Sequence, residues 1–192
     1  MPDPNQAALD FMQTRRSRPA RTLAGPVPDA EALQVLLTIA ARTPDHGKLE
    51  PWRFLVIEKP ALERLAGEVR DRGLALALDP ERVEKTVREF ADADLVVAVV
   101  ASPKPSDKVP EIEQVLSAGA VCYGLLAAAL AAGWGANWLS GWPAFDRPFL
   151  EAGLNLKPHE FVAGFLHIGT ETIAPPERPR PMLDQITEWV RA

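Results

Sequence analysis

The sequence predicts an α+β fold: a small, mainly antiparallel sheet wrapped by helices, with one long apolar helix at its centre. Three observations carry that expectation. Apolar residues recur at helical spacing in several stretches, and short β-branched or aromatic runs between them read as strands. The two kinds of element do not follow the strict strand–helix–strand alternation of a doubly wound sheet. From Ala118 to Ala136 there is no charged residue at all, which supplies the central helix.

Taken in order, Asn5 to Gln13 reads as a helix with Ala8, Leu9 and Met12 on one face. A loop with four arginines between Arg15 and Arg21 follows, then Gly25, Pro26 and Pro28. Asp29 is placed to cap a second helix, in which Leu33, Leu36, Leu37 and Ala40 share a face. It must stop before Pro44, because the residue preceding a proline avoids the α region. Trp52 to Glu58 (WRFLVIE), bounded by Pro51 and Pro60, is a strand. Two helices should follow, one opening at Pro60 and one capped by Asp79 with Pro80 at its first position. Leu95 to Val100 is continuously apolar, as a strand buried on both faces must be. After the polar loop Lys104 to Pro110, the long helix runs from about Glu111 to Ala132, with Gly133 as its C-terminal stop. A strand near Ala136 to Leu139 and a short helix around Pro148 to Ala152 come next. Phe161 to Ile168 is the last clear strand, with Gly169 ending it. Four prolines among the eight residues from Ala174 to Pro181 make the tail extended.

The 192 residues are enough for one substantial core and are read as a single domain, residues 1–192. Hydrophobic residues at 47% and charged residues at 24% give a globular balance. A net charge of −5 argues against a general nucleic-acid binder, since phosphate backbones reward basic surfaces. Cys122, the sole cysteine, lies in an apolar stretch and is expected to be a small buried hydrophobe. The opening MPDPNQAALD carries two acids and no basic region, so a cytoplasmic location is expected. The uncharged segment is long enough to span a bilayer. Its Ala/Gly composition and the lack of flanking basic clusters fit a buried helix better, whose small side chains let neighbours approach closely. That helix, with a tail that can satisfy its backbone only against something else, suggests that two chains pack together.

Several chemistries are excluded. His46, His159 and His167 are scattered, with no second ligand at metal spacing. There is no Walker-type loop. Gly133-Trp134-Gly135 lacks the third glycine of a dinucleotide fingerprint and follows a helix. Leu139-Ser140-Gly141 lacks the glycine that a nucleophile elbow needs two residues before its serine. What remains are polar groups at element boundaries. Arg15-Arg16-Ser17 suits anion recognition, since guanidinium forks pair with phosphate, but a solvated basic loop has the same composition. Arg42-Thr43-Pro44-Asp45-His46 lies between a helix and a strand, where ligand-binding loops occur and where a surface histidine is equally ordinary. Arg178 and Arg180 either solubilise the tail or form a second arm around an anion.

The combination and order of these segments resemble the nitroreductase family of FMN flavoproteins over nearly the whole chain. Arg15-Arg16-Ser17 resembles the family's Arg-x-Ser after its first helix. Pro44-Asp45-His46-Gly47-Lys48-Leu49-Glu50-Pro51-Trp52 resembles its Pro-Ser-Ser-x-Asn-x-Gln-Pro-Trp loop. Trp138-Leu139-Ser140-Gly141 stands where the family has a later flavin loop, and Glu177 to Pro181 resembles its basic phosphate-binding tail. With Pro-Asp-His in place of Pro-Ser-Ser, the chain is most similar to a short subgroup of minimal NAD(P)H nitroreductases.

The resemblance implies a nitroreductase-like fold and a homodimer with FMN at the interface. Arg15, Arg16 and Ser17, joined by Arg180 and Arg178, would hold the phosphate and ribityl chain. Pro44, Asp45 and His46 would line the flavin from the partner, and Trp138, Leu139 and Ser140 would cover its other edge. Arg18, Arg21 and Arg42 are candidates to stabilise charge on the reduced ring, and Arg42 is counted among the cofactor-binding residues. His46 would set a pH dependence, with Asp45 favouring its charged form. Lys48 replaces an asparagine. The flavin carries the redox chemistry, with no separate catalytic side chain and no metal. NADH or NADPH would reduce it, and a flat acceptor such as a nitroaromatic or quinone would reoxidise it in ping-pong turnover. Competing readings are dehalogenation, dehydrogenation or flavin fragmentation under a lid from Leu62 to Phe90 or Lys104 to Pro110, and a non-catalytic flavin-binding sensor.

Overall fold

The protein is described by a computed structural model that covers residues 3–191. Helix α1 (Gln6–Thr14) is capped by the Asn5 side chain, which accepts from the Ala8 amide at 3.1 Å. Strand β1 (Leu23–Ala24) follows, then α2 (Ala30–Ala40), where the Asp29 carboxylate accepts from the Ala32 amide at 2.9 Å. Next come β2 (Trp52–Glu58), α3 (Lys59–Ala75), α4 (Pro80–Ala91) and β3 (Leu95–Ala101). The second half comprises α5 (Glu111–Ala131), β4 (Gly135–Leu139), α6 (Arg147–Leu154), β5 (Phe161–Glu171) and the one-turn α7 (Leu183–Ile186).

All strand pairs are antiparallel, in the order β1-β5-β3-β2, and β4 also pairs with β5. Every residue of β3 is buried, as its unbroken apolar run requires. Strand alternation sends Val96, Ala98, Val100, Val162 and Phe165 to one face, where α3, α4 and α6 pack. It sends Val97, Val99, Leu166, Ile168 and Ala136 to the other, where α2 and α5 pack. Helix α5 has the length and composition of a membrane span. One of its faces nevertheless belongs to this core, with Ala118, Val121, Cys122, Leu125 and Ala129 fully buried. It ends in a Schellman motif: the Trp134 amide reaches the Ala129 carbonyl at 3.0 Å and the Gly133 amide reaches Leu130 at 3.2 Å. Gly133 takes the left-handed conformation this needs, with φ +86°.

Four details differ from the sequence expectation. Gly169 does not end β5, which continues to Glu171 and pairs there with β1. The glycine is required for proximity, since a Cβ would stand 2.9 Å from the Ala24 carbonyl oxygen. The two residues of β1 are too short to show any alternation. Residues 46–48 form a 3₁₀ turn, and the last helix lies beyond the proline-rich tail.

Candidate functional site

The segment after α1 is fixed by its backbone. The Arg18 amide donates to the Ala136 carbonyl at 2.8 Å, and the Asn137 side-chain amide donates to the Arg18 carbonyl at 2.5 Å. Residues 15–18 therefore run beside β4. Arg15 lies over the Tyr123 ring, 5.5 Å from its centroid, with Nε buried and without a hydrogen-bond partner among the described residues. Arg16 Nε donates to the Pro176 carbonyl at 2.8 Å and draws the proline-rich tail onto this segment. There the Glu177 carboxylate accepts from the Arg178 amide at 2.8 Å and pairs with Arg180 at 3.0 Å. It is held below the usual carboxylate range first by that amide and also by the Arg180 and Arg16 charges. Ser17 is half-buried between these groups. Arg18 is committed elsewhere, to Glu171 at 3.1 Å.

The loop after α2 is a separate construction. The Pro44 carbonyl accepts from Ser117 Oγ at 2.8 Å, and that hydroxyl accepts from Trp52 Nε1 at 3.1 Å. Asp45 accepts from the Leu49 and Glu50 amides at 3.2 and 2.7 Å. These bonds hold a backbone in which Lys48 and Glu50 take positive φ (53° and 48°). Such conformations persist only where the surroundings over-determine them. His46 Nδ1 lies 2.7 Å from Glu113 Oε2, so Glu113 of α5, and not Asp45, is the carboxylate against the imidazole. Arg42 is exposed. None of these contacts reaches the Arg15–Ser17 segment within one chain.

A cavity of about 640 Å³ opens where the 19–23 turn, the C-terminal half of α4 and β4 meet. In the antiparallel register Asn137 stands opposite His167, and Leu139 opposite Phe165. Side chains of such pairs share a face, so Asn137, Leu139 and His167 form one floor. Arg21, Lys85, Arg88 and Glu89 line the same cavity. None of the four takes part in an ion pair among the described residues. Burial raises the Glu89 carboxyl above its ordinary value, with Lys85 opposing. His167 is 3% exposed, and burial alone pushes its imidazole down to about 4, so it is neutral at ordinary pH. Trp138 lies across Gly164, its indole donating to the Ala163 carbonyl at 3.2 Å, while Ser140 is exposed beyond the strand end.

The structure thus brings Arg15, Arg16, Ser17, Arg178, Arg180 and the strand that carries Trp138, Leu139 and Ser140 to one region. It places Arg42, Pro44, Asp45 and His46 in another. Sequence reasoning passed over Lys85, Arg88, Glu89, Asn137 and His167. The first three give no signal, because only packing turns that side of α4 toward β4. His167 does give one: it is the one ionisable residue in the run Phe161 to Ile168, where a buried polar group requires an explanation.

Fold and site together define a helix-wrapped antiparallel α+β protein whose cationic segment adjoins a roomy, polar-floored cavity. Residues 12–170 match the model of the Nitroreductase family, and the chain belongs to that family. It is 34% identical over 163 residues to the Escherichia coli K12 protein named "Putative NAD(P)H nitroreductase YdjA", covering 85% of this chain and 87% of that protein. Among solved structures it is similar to a nitroreductase-like family protein from Bacillus cereus, with TM-score 0.81, 22% identity and both chains fully covered. A nitroreductase with bound FMN from Bacteroides fragilis superposes with TM-score 0.74 at 18% identity, over 95% of this chain and 98% of that one.

Proposed function

We propose that the protein is an FMN-dependent NAD(P)H oxidoreductase, a cytoplasmic homodimer whose whole chain, residues 1–192, acts as one flavin-binding domain. The observation that carries this reading is the docking of the tail on the Arg15–Ser17 segment through Arg16, in a chain of this family, with a 640 Å³ cavity whose lining begins at Pro19, two residues further on. The residues fit such a cofactor. Arg15 keeps a buried, unmet guanidinium nitrogen, and the Arg16–Arg180 cluster already collects the nearest carboxylate, Glu177. Both observations suit a dianionic phosphate. The cavity is broad enough for a flat ring system and has a polar floor.

FMN held there would supply the redox chemistry by which NADH or NADPH reduces a small oxidised acceptor. Arg15, Arg16 and Ser17, with Arg178 and Arg180, would hold the phosphate and ribityl end. Arg21, Lys85 and Arg88, which line the cavity together with Glu89 and Asp92, would supply positive charge toward a ring bound there. Leu139 closes the floor. Pro44, Asp45 and His46 from the partner chain, together with Trp138 and Ser140, shield the site from water. The acceptor class is flat, electron-poor molecules such as nitroaromatics and quinones, with no nucleic acid or membrane involved.

One experiment tests this directly. The purified protein should be yellow and should bleach when NADPH or NADH is added under nitrogen. Yellow protein that does not bleach points instead to a sensing role, and protein that stays colourless with added FMN overturns the flavin reading.

A further inference from the structure

We propose that His167 is a ligand-contacting residue, meeting the polar edge of the bound flat heteroaromatic ring as a neutral imidazole. The proposal rests on the flavin reading of the cavity and adds a residue to it. His167 sits on β5 between Val96 of β3 and Asn137 of β4, on the sheet face that α4 covers only in part. Its side chain lines the 640 Å³ cavity and is 97% buried. Burial is the sole cause of its lowered basicity, with no hydrogen bond or charge contributing to the shift. Buried polar groups in folded proteins are almost always satisfied. The imidazole at the floor of an open cavity is therefore placed to meet a group that arrives from outside.

Charge completes the argument. A neutral imidazole presents one N–H donor and one lone-pair acceptor. It therefore matches a ring edge on which carbonyl and N–H groups alternate, as on the pyrimidine portion of a flavin. An imidazolium would offer donors only. Arg21, Lys85 and Arg88 share the cavity wall with the carboxylates Glu89 and Asp92, and it is burial that disfavours the second charge. Asn137 supports the same arrangement: its amide nitrogen is committed to the Arg18 carbonyl, and its side chain shares the floor with His167.

The test compares His167→Leu and His167→Gln with the unaltered protein. Dissociation constants for FMN and for riboflavin are measured by flavin fluorescence, and folding is checked by thermal melting. Losing one neutral hydrogen bond should weaken both flavins by roughly tenfold in His167→Leu. His167→Gln, which keeps a donor and an acceptor, should recover most of that loss. A folded His167→Leu that binds both flavins as the unaltered protein does overturns the proposal. A second measurement applies even if the variants fold poorly. With only three histidines in the chain, side-chain ¹⁵N spectra can be assigned using His46→Asn and His159→Gln. The His167 resonances should shift and saturate with stoichiometric FMN. Unshifted resonances in protein that has turned yellow overturn the assignment of His167. Protein that takes up no flavin overturns the broader reading instead.

Discussion

Arg16 links the phosphate question to the tail, because the same guanidinium that faces Glu177 also holds the Pro176 carbonyl. Arg16→Ala should weaken FMN by roughly ten- to a hundredfold, the worth of one charge-assisted contact, while riboflavin, which lacks the phosphate, weakens far less. Equal losses for the two flavins, read by titration, would remove phosphate recognition from the Arg15–Ser17 segment. His167 also makes a statement about acid stability. Its imidazole is depressed from 6.5 to about 4 in the folded chain. Between those values the unfolded chain binds the extra proton and the native chain does not, so stability falls as pH falls from about 6.5 to 4. The full loss is on the order of 3 kcal/mol. Melting temperature should therefore drop between pH 7 and 5, and drop less in His167→Gln; parallel slopes would contradict the burial argument. The depressed carboxyl of Glu160, near 2, acts in a lower window, contributing stability that is lost as pH falls from about 4.5 toward 2.

Glu160 belongs equally to the elements it joins. It lies at the start of β5, 2% exposed, and accepts from Arg53 Nε and Nη2 of β2 at 2.8 and 2.7 Å and from the Lys157 amide at 2.9 Å. Removing one partner of a buried pair strands the other charge. With the Arg53 side chain 38% exposed, solvent screens part of that cost, so Arg53→Ala should lower the unfolding free energy by about 1–2 kcal/mol, measured by denaturant titration, and Arg53→Leu with Glu160→Leu should recover much of it. A near-neutral Arg53→Ala would show that solvent already screens the pair. Helix α5 illustrates a second dependence between elements. A Cβ on Gly124 would stand 3.4 Å from the Ala40 backbone of α2, so this glycine sets how closely the two helices approach. Gly119, one turn earlier, would meet nothing within 4 Å.

For the whole molecule, that contrast separates folding from assembly. The outer face of α5 exposes Ile112, Leu116 and Tyr123, next to Leu9 and Met12 of α1, and Tyr123 touches Met12. Exposed apolar surface of this extent marks an interaction site. The proposed dimer predicts that Gly119→Glu yields folded monomers that lose FMN, as read by sedimentation velocity and absorbance. Gly124→Glu should instead disturb the α2–α5 packing inside each chain and lower the melting temperature. A Gly119→Glu protein that remains a flavin-loaded dimer would place the interface elsewhere.

Local rules were enough to delimit most elements. β2 spans Trp52–Glu58 as its bounding prolines demand, Asp29 and Asp79 cap α2 and α4, and Gly133 ends α5, because propensity, capping and periodicity act over a few residues. The order of Arg15–Ser17, the Pro44–Trp52 loop and the Arg-Pro tail was likewise legible as a family pattern. Tertiary structure alone decided the rest. It set β1 against the end of β5 and turned Lys85, Arg88 and Glu89 toward Asn137 and His167. It also gave His46 its carboxylate partner in Glu113, 67 residues away. Sequence separation hides such contacts: they arise when two faces of a sheet each bury their own apolar set, and that packing determines which polar side chains are left to line the cavity.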